Sequence, residues 1–129
     1  MWFENALGRE KIQFMFNNEF NFQSIELNSV SFDSYSEFKC HLNCKEIPKI
    51  YPKKWDKVEF NALNLIITFN EIVQLNMSGS KIGFSCSPTI NSFTDYSEIT
   101  VQHNKLQLYC KSKFLIIESI TPYIDERWN

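Results

Sequence analysis

The sequence predicts a mostly β domain: a single antiparallel sheet, or a half-barrel or sandwich, of about seven or eight strands with a short N-terminal helix. An α+β assignment stays open beside it. Three observations carry this expectation. Short apolar stretches alternate with polar residues at a period of two along much of the chain, as half-buried strands do. The apolar stock is dominated by 12 Phe, with only two Ala, which suits pleated surfaces and disfavours a helical bundle. Gly and Pro total only seven, but 13 Asn and 13 Ser can form turns by bonding their side chains to nearby backbone.

Taken in order, Ile12, Met15 and Phe16 share one face of a helix expected over Arg9–Phe16, its start weakened by Gly8. Ile25 and Leu27, then Val30 and Phe32, read as one strand with a phase slip near Asn28–Ser29, the mark of a bulge. Asp33-Ser34-Tyr35-Ser36 turns the chain into a second strand, where Phe38, Cys40 and Leu42 alternate with Lys39, His41 and Asn43. Lys45–Lys57 contains Pro48 and Pro52 and is expected as a surface loop. Leu63, Leu65, Ile67 and Phe69 make the next strand. Ile72, Leu75 and Met77 make another, with Asn70-Glu71 as a tight connection between them. Ile82, Phe84 and Cys86 give a short strand, and residues 87–97 a polar loop with two aromatics. Ile99 and Val101 then pair with Leu106, Leu108 and Cys110 about a turn at His103-Asn104. The last strand runs from about Phe114 to Ile120 and is ended by Pro122. Such short connections require antiparallel neighbours.

Composition excludes several classes. A 129-residue chain with 20 aromatic residues has ample core material, so disorder, collagen-like repeats and coiled coil are out. Glu4, Arg9, Glu10 and Lys11 leave no room for the apolar core of a secretory signal, and no apolar run approaches the length that spans a bilayer. The expected compartment is the cytoplasm, with no membrane contact. Three glycines, at 8, 79 and 83, preclude a phosphate-cradling loop or a dinucleotide fingerprint. Neither a nucleophile elbow nor a zincin motif is present.

Three sets of residues remain as sources of chemistry. Cys40-x-x-x-Cys44 has ligand-like spacing, with Cys86, Cys110, His41 and His103 elsewhere. Yet Cys40, Cys86 and Cys110 each fall in phase with the apolar face of their own strand, where free Cys behaves as a small hydrophobe. They are therefore expected to be buried, reduced and metal-free, and no cofactor is expected. The second set is Lys45–Lys57, where five lysines against Glu46 and Asp56 give a local +3 in a chain of net charge −2. Tyr51 and Trp55 within it would suit stacking on single-stranded nucleic acid. A sequence pI near 5.7 instead favours a solvated loop, and no direct nucleic-acid contact is expected. The acidic remainder would attract a basic partner. Third, a Ser/His/Asp constellation could assemble only in space, and nothing in the sequence singles one out.

Read together, the landmarks carry a resemblance. Trp2 precedes the apolar helix, and Leu27 lies on the first strand. A proline-bearing loop ends in Lys54-Trp55, and Phe60-Asn61-x-Leu63 opens the next strand. Leu65, Phe69, Ile72, Leu75 and Ser78-Gly79 follow, and Tyr123 closes the series. This order resembles the immunity protein 50 family of bacterial polymorphic toxin systems. The resemblance implies that residues 1–129 form a single immunity-protein-like domain. It also implies a cytoplasmic, non-enzymatic function: binding and neutralising a cognate toxin domain, such as a basic nuclease, in a contact-dependent or other polymorphic system. Whether the protein is a monomer or a homodimer is left open. On this reading Trp2, Lys54, Trp55, Phe60, Asn61 and Phe69 are structural positions of the family motif. The alternative is a small β-rich ligand- or nucleic-acid-binding domain, or an enzyme-like one with a deep pocket at His41 or His103.

The toxin-facing residues are expected in the polar loop, where Phe93 and Tyr96 would be aromatic anchors and Asp95 and Glu98 would supply charge. Against this stands the simpler expectation that both aromatics fold back onto a sheet edge.

Overall fold

The computed structural model describes residues 2–13, 25–33 and 35–128. Its seven strands are β1 (Ile25–Asp33), β2 (Glu37–Cys44), β3 (Ala62–Gly79), β4 (Phe84–Cys86), β5 (Thr89–Ser92), β6 (Ser97–His103) and β7 (Leu106–Tyr123). They form one sheet in the order β4-β1-β2-β3-β7-β6-β5, and every neighbouring pair is antiparallel. The two edge strands, β4 and β5, are separated in the chain only by Ser87 and Pro88. A sheet whose opposite edges are tied by two residues must curl round on itself, and the result is a half-barrel.

Alternation along the strands sets what lies inside. Cross-strand neighbours share a face, so Phe38, Phe69 and Leu115 form one inward row, and Cys40, Ile67 and Ile117 the next. All six are 1% exposed or less. The other wall contributes Ile99 with Cys110, and Val101 with Leu108, all buried. β3 and β7 are long enough to belong to both walls. β2 flanks β3 only as far as Asn70, and β6 flanks β7 only from Leu106 to Ser112.

Three expectations are corrected here. Asn70-Glu71 does not reverse the chain. Glu71 takes a positive φ of 56°, the Asn70 side chain accepts its N–H, and the register with β7 shifts between Ile72 and Gln74. The device is a bulge within one 18-residue strand, which bends the sheet from one wall into the other. Pro122 likewise does not end the last strand, and β7 runs unbroken from Leu106 to Tyr123. β6 has ended by then, so β7 has a free side on which a residue lacking N–H is tolerated. Residues 87–97 are not simply loop, because Thr89–Ser92 pairs with β6 and buries Ile90.

Other expectations agree with the structure. The slip near Asn28–Ser29 is a register shift between Leu27 and Ser29, and β1 and β2 form a hairpin. The helix α1 covers Glu10–Gln13 within the expected Arg9–Phe16; Arg9 belongs to the turn before it, and positions 14–16 lie outside the described residues. Ahead of it, Gly8 takes a φ of 82°, and a Cβ there would sit 2.4 Å from the Ile117 carbonyl oxygen. Only glycine lets the chain pass so close.

The N-terminal segment occupies the free side of β7. Leu7 donates its N–H to the Leu115 carbonyl and accepts from the Ile117 N–H, both at 2.8 Å, forming an isolated parallel bridge with Ile116. Phe3, Ala6 and Ile12 point into the core. From the other direction, the loop between β2 and β3 sends Trp55 into the same core from a 3-10 turn at Lys53–Lys57. A second 3-10 turn, Glu126–Trp128, follows β7.

Candidate functional site

β5 and β6 are joined by Phe93, Thr94, Asp95 and Tyr96. The Phe93 N–H donates to the Tyr96 carbonyl at 2.8 Å, closing a tight tip just beyond the Ser92–Ser97 pair. The two rings neither fold into the core nor splay apart. Their centroids are 4.8 Å apart at an interplanar angle of 43°, and Phe93 keeps 43% of its surface exposed. Tyr96 is half-buried, with the Lys111 ammonium 4.5 Å from its ring centroid, a cation–π contact that fixes its face. Asp95 and Thr94 are exposed at the tip. Glu98 lies apart from them, on the outward face of β6 opposite Asn91 and Lys111. Its carboxylate accepts from the Tyr109 hydroxyl at 2.9 Å and from the Asn91 amide at 3.4 Å. That bond raises the Tyr109 pKa, because ionising the phenol would lose it.

The N-terminal segment also reaches this tip, which no sequence pattern foretells. Asn5 donates its backbone N–H to the Ser92 hydroxyl at 3.0 Å and its side-chain amide to the Ser92 carbonyl at 2.9 Å. Trp2, Glu4 and Asn5 thereby form one wall of a cleft of about 430 Å³, and Ser92, Phe93 and Asp95 form the other. Glu4 adds a second exposed carboxylate to the residues that line this cleft. Separations of nearly ninety residues leave no local pattern from which this could be read.

Apart from Trp2, the family-motif residues sit away from this tip: Trp55 and Phe69 are buried, Phe60 and Asn61 half-buried, and Lys54 exposed. Trp55 is 4% exposed. Its ring stacks on Tyr51 at 5.7 Å, and Phe60 packs edge-on against both, at 5.4 and 5.8 Å. The aromatics of the lysine loop thus face one another and the core, while Lys45, Lys49, Lys53, Lys54 and Lys57 point to solvent. Asn61 exchanges two hydrogen bonds with the backbone of Asp125, at 2.7 and 3.0 Å. Phe69 belongs to the inward row already described. Trp2 packs edge-on against the buried Phe3.

Around Asn61 lies the main polar network of the structure. Arg127 reaches Asp125 through Nε at 2.9 Å and Nη2 at 2.6 Å, and Glu26 through Nη1 at 2.9 Å and Nη2 at 3.1 Å. Asn43 donates to Glu26, and Asn64 to Asn43, continuing the ladder across β1, β2 and β3. The hydrogen bonds from Arg127 hold the Asp125 carboxyl down at about 2 and lower that of Glu26.

The remaining candidates do not converge. Cys40 and Cys110 are fully buried, and Cys86 is half-buried. Burial pushes their thiols up, to about 11 for Cys86, about 12 for Cys110 and further for Cys40. Among the described residues, no three His, Cys, Asp or Glu side chains come together in a metal-binding arrangement. His103 stacks on Phe84 at 3.9 Å, and its Nδ1 accepts from the Lys105 N–H. His41 lies opposite Ile66 on the outward face. A concavity of about 560 Å³ is lined by Asn76, Ser78, Thr100, Gln107 and Tyr109 among others, and neither histidine borders it. Among the described residues, no helix is long and apolar enough to cross a membrane.

No curated protein and no solved structure matches the chain. One family model does, over residues 8–123, a span that includes Lys54, Trp55, Phe60, Asn61 and Phe69 and leaves Trp2 outside. With all but the two ends of its 129 residues matched, the chain belongs to the immunity protein 50 family.

Proposed function

We propose that this immunity protein works without catalysis, by binding a cognate toxin domain of a polymorphic toxin system in the cytoplasm and holding it inactive. The observation that carries the reading is the β5–β6 tip. Phe93 and Asp95 are exposed on a hydrogen-bonded turn, Tyr96 packs behind them against Lys111, and a cleft opens beside them that Trp2 and Glu4 also line. An aromatic pair ringed by polar groups is the kind of feature that concentrates binding energy. Carboxylates at positions 4, 95 and 98 suit a basic partner, such as a nuclease, and would mainly speed its approach. The placement of Tyr51 and Trp55 against the core supports a protein partner over a nucleic acid, since neither ring is presented for base stacking.

Binding of the toxin domain encoded beside this protein tests the reading. Tyr96→Ala should weaken the complex by about 2 kcal/mol or more, and Phe93→Ala should act in the same direction, with little change in the folding of the free protein. Asp95→Lys should slow association chiefly at low salt, where screening is weak. If all three leave affinity, association rate and cell protection intact, the interface is not at this tip.

A further inference from the structure

The half-barrel does not close everywhere. β2 leaves β3 at Asn70, and the Ile72 N–H is taken by Ser36, through its carbonyl at 3.3 Å and its hydroxyl at 3.0 Å. From Val73 to Gly79, β3 is bonded to β7 on one side and, among the described residues, to nothing on the other. A cleft of about 370 Å³ separates this edge from β1, with Val30, Met77, Ile82 and Leu106 on its walls. Leu75 and Met77 face the same way as the buried Cys110 and Leu108, yet Met77 is 49% exposed, and among the described residues no strand pairs beyond it.

Natural sheets guard such edges with lysines, prolines or bulges. Here the edge reads Val73-Gln74-Leu75-Asn76-Met77-Ser78-Gly79, with no charge and no proline, and the bulge lies at its start. A bare row of backbone donors and acceptors is matched by another strand. The flanking charges then choose which strand. Glu71 lies five residues before Asn76 and Lys81 five residues after it, both exposed. In an antiparallel pairing with the two-fold axis at Asn76, Leu75 of one copy meets Met77 of the other, and Glu71 meets Lys81. Symmetry gives each of these contacts twice. Slipping the register by two residues loses both ion pairs, and slipping by one turns the apolar side chains to the wrong face.

We infer that the protein forms a two-fold dimer through β3, edge to edge, so that its sheet continues into a second copy of the same chain. The surface used includes none of Phe93, Asp95, Tyr96 and Glu98, so the dimer leaves the tip of each copy available.

Sedimentation of the full chain across about 10–200 μM, a range that spans micromolar dissociation constants, tests this. The expected mass rises from 15.3 kDa towards twice that value. Asn76→Lys puts two ammonium groups opposite each other at the axis, on a side chain that is exposed in the single chain, so folding is kept. It should raise the dissociation constant by about fivefold or more. Glu71→Lys should do the same, and adding Lys81→Glu to it should restore the wild-type value. A wild-type mass of 15.3 kDa throughout overturns the inference. So does a dimer indifferent to Asn76→Lys, or a double charge swap that fails to restore pairing. If the chain is monomeric and the amides of residues 73–79 become protected from exchange only when toxin is added, the edge belongs to the toxin and the inference is wrong. Asn76→Lys should keep toxin binding, whereas Phe93→Ala should lose affinity for toxin and still dimerise, so this inference and the proposed function fail separately.

Discussion

Trp55 shows how much one side chain can hold. It sits in a loop whose lysines all face water, yet it is 4% exposed, stacked on Tyr51 and braced by Phe60. Trp55→Ala would leave a cavity that the short 3-10 turn around it cannot easily fill, so stability should fall by about 3–5 kcal/mol in urea denaturation. Unchanged melting with lost toxin binding would instead place Trp55 in the interface. The thiols make a second test at this scale. With burial pushing Cys110 to about 12 and Cys40 beyond it, almost no thiolate forms at neutral pH. An alkylating reagent should therefore label the half-buried Cys86 first, and reach Cys40 only as the protein unfolds. Equal labelling of all four cysteines in the native state, read by mass spectrometry of peptides, would contradict the buried placement. The placement of Cys40 and Cys110 was legible because each keeps phase with apolar neighbours on a long strand. Cys86 has the same phase, but its strand has three residues and lies at the sheet edge, so phase alone could not give full burial.

Between residues and the whole, individual elements depend on how their ends are tied. The segment after β7 is held by Arg127 against Asp125 and Glu26, and by Asn61 against the Asp125 backbone. The hydrogen bonds from Arg127 keep the Asp125 carboxyl at about 2, below its ordinary 3.8, and also lower Glu26. A depressed carboxyl contributes stability that is full above its unfolded value and is lost as pH falls through the folded one. The protein should accordingly lose stability from just above pH 4 down towards pH 2. Arg127→Ala should flatten that dependence as well as lower the plateau, and an unaltered acid profile would mean that the pairs contribute nothing. Strands were legible wherever alternation ran unbroken, as from Phe38 to Leu42 and from Leu63 to Phe69. Sequence and structure part at phase breaks, since a bulge and a turn both interrupt the period with polar residues. Asn70-Glu71 could be either, and only pairing with a strand some forty residues away decides it. The same ambiguity hid the continuity of β7, where Ser112 is buried with its hydroxyl on the Phe114 carbonyl. β5 leaves little trace in the sequence because its four residues carry one apolar side chain.

At the scale of the whole molecule, the N-terminal segment links the barrel to its candidate site. Leu7 bridges β7, Asn5 bridges Ser92 at the tip, and Phe3 between the barrel and the cleft is 1% exposed. These residues precede the span matched by the family model, and a pairing between positions 7 and 116 leaves no trace in local sequence. The half-barrel class could be foreseen from strand count and turn length, but which segment covers the free side of β7 could not. Leu7 separates backbone from side chain in a way that can be measured. Its side chain is 57% exposed, so Leu7→Ala should change stability by no more than about 0.5 kcal/mol. Its N–H is bonded to the Leu115 carbonyl, so Leu7→Pro removes that bond and leaves a carbonyl of β7 unmatched. That variant should lose about 1–3 kcal/mol, the range for an orphaned buried group. Because the same segment carries Trp2 and Glu4 to the cleft, Leu7→Pro should also weaken toxin binding without altering any residue at the tip. If the two substitutions melt together, residues 2–13 are not held by β7, and the far wall of the cleft is no part of a fixed surface.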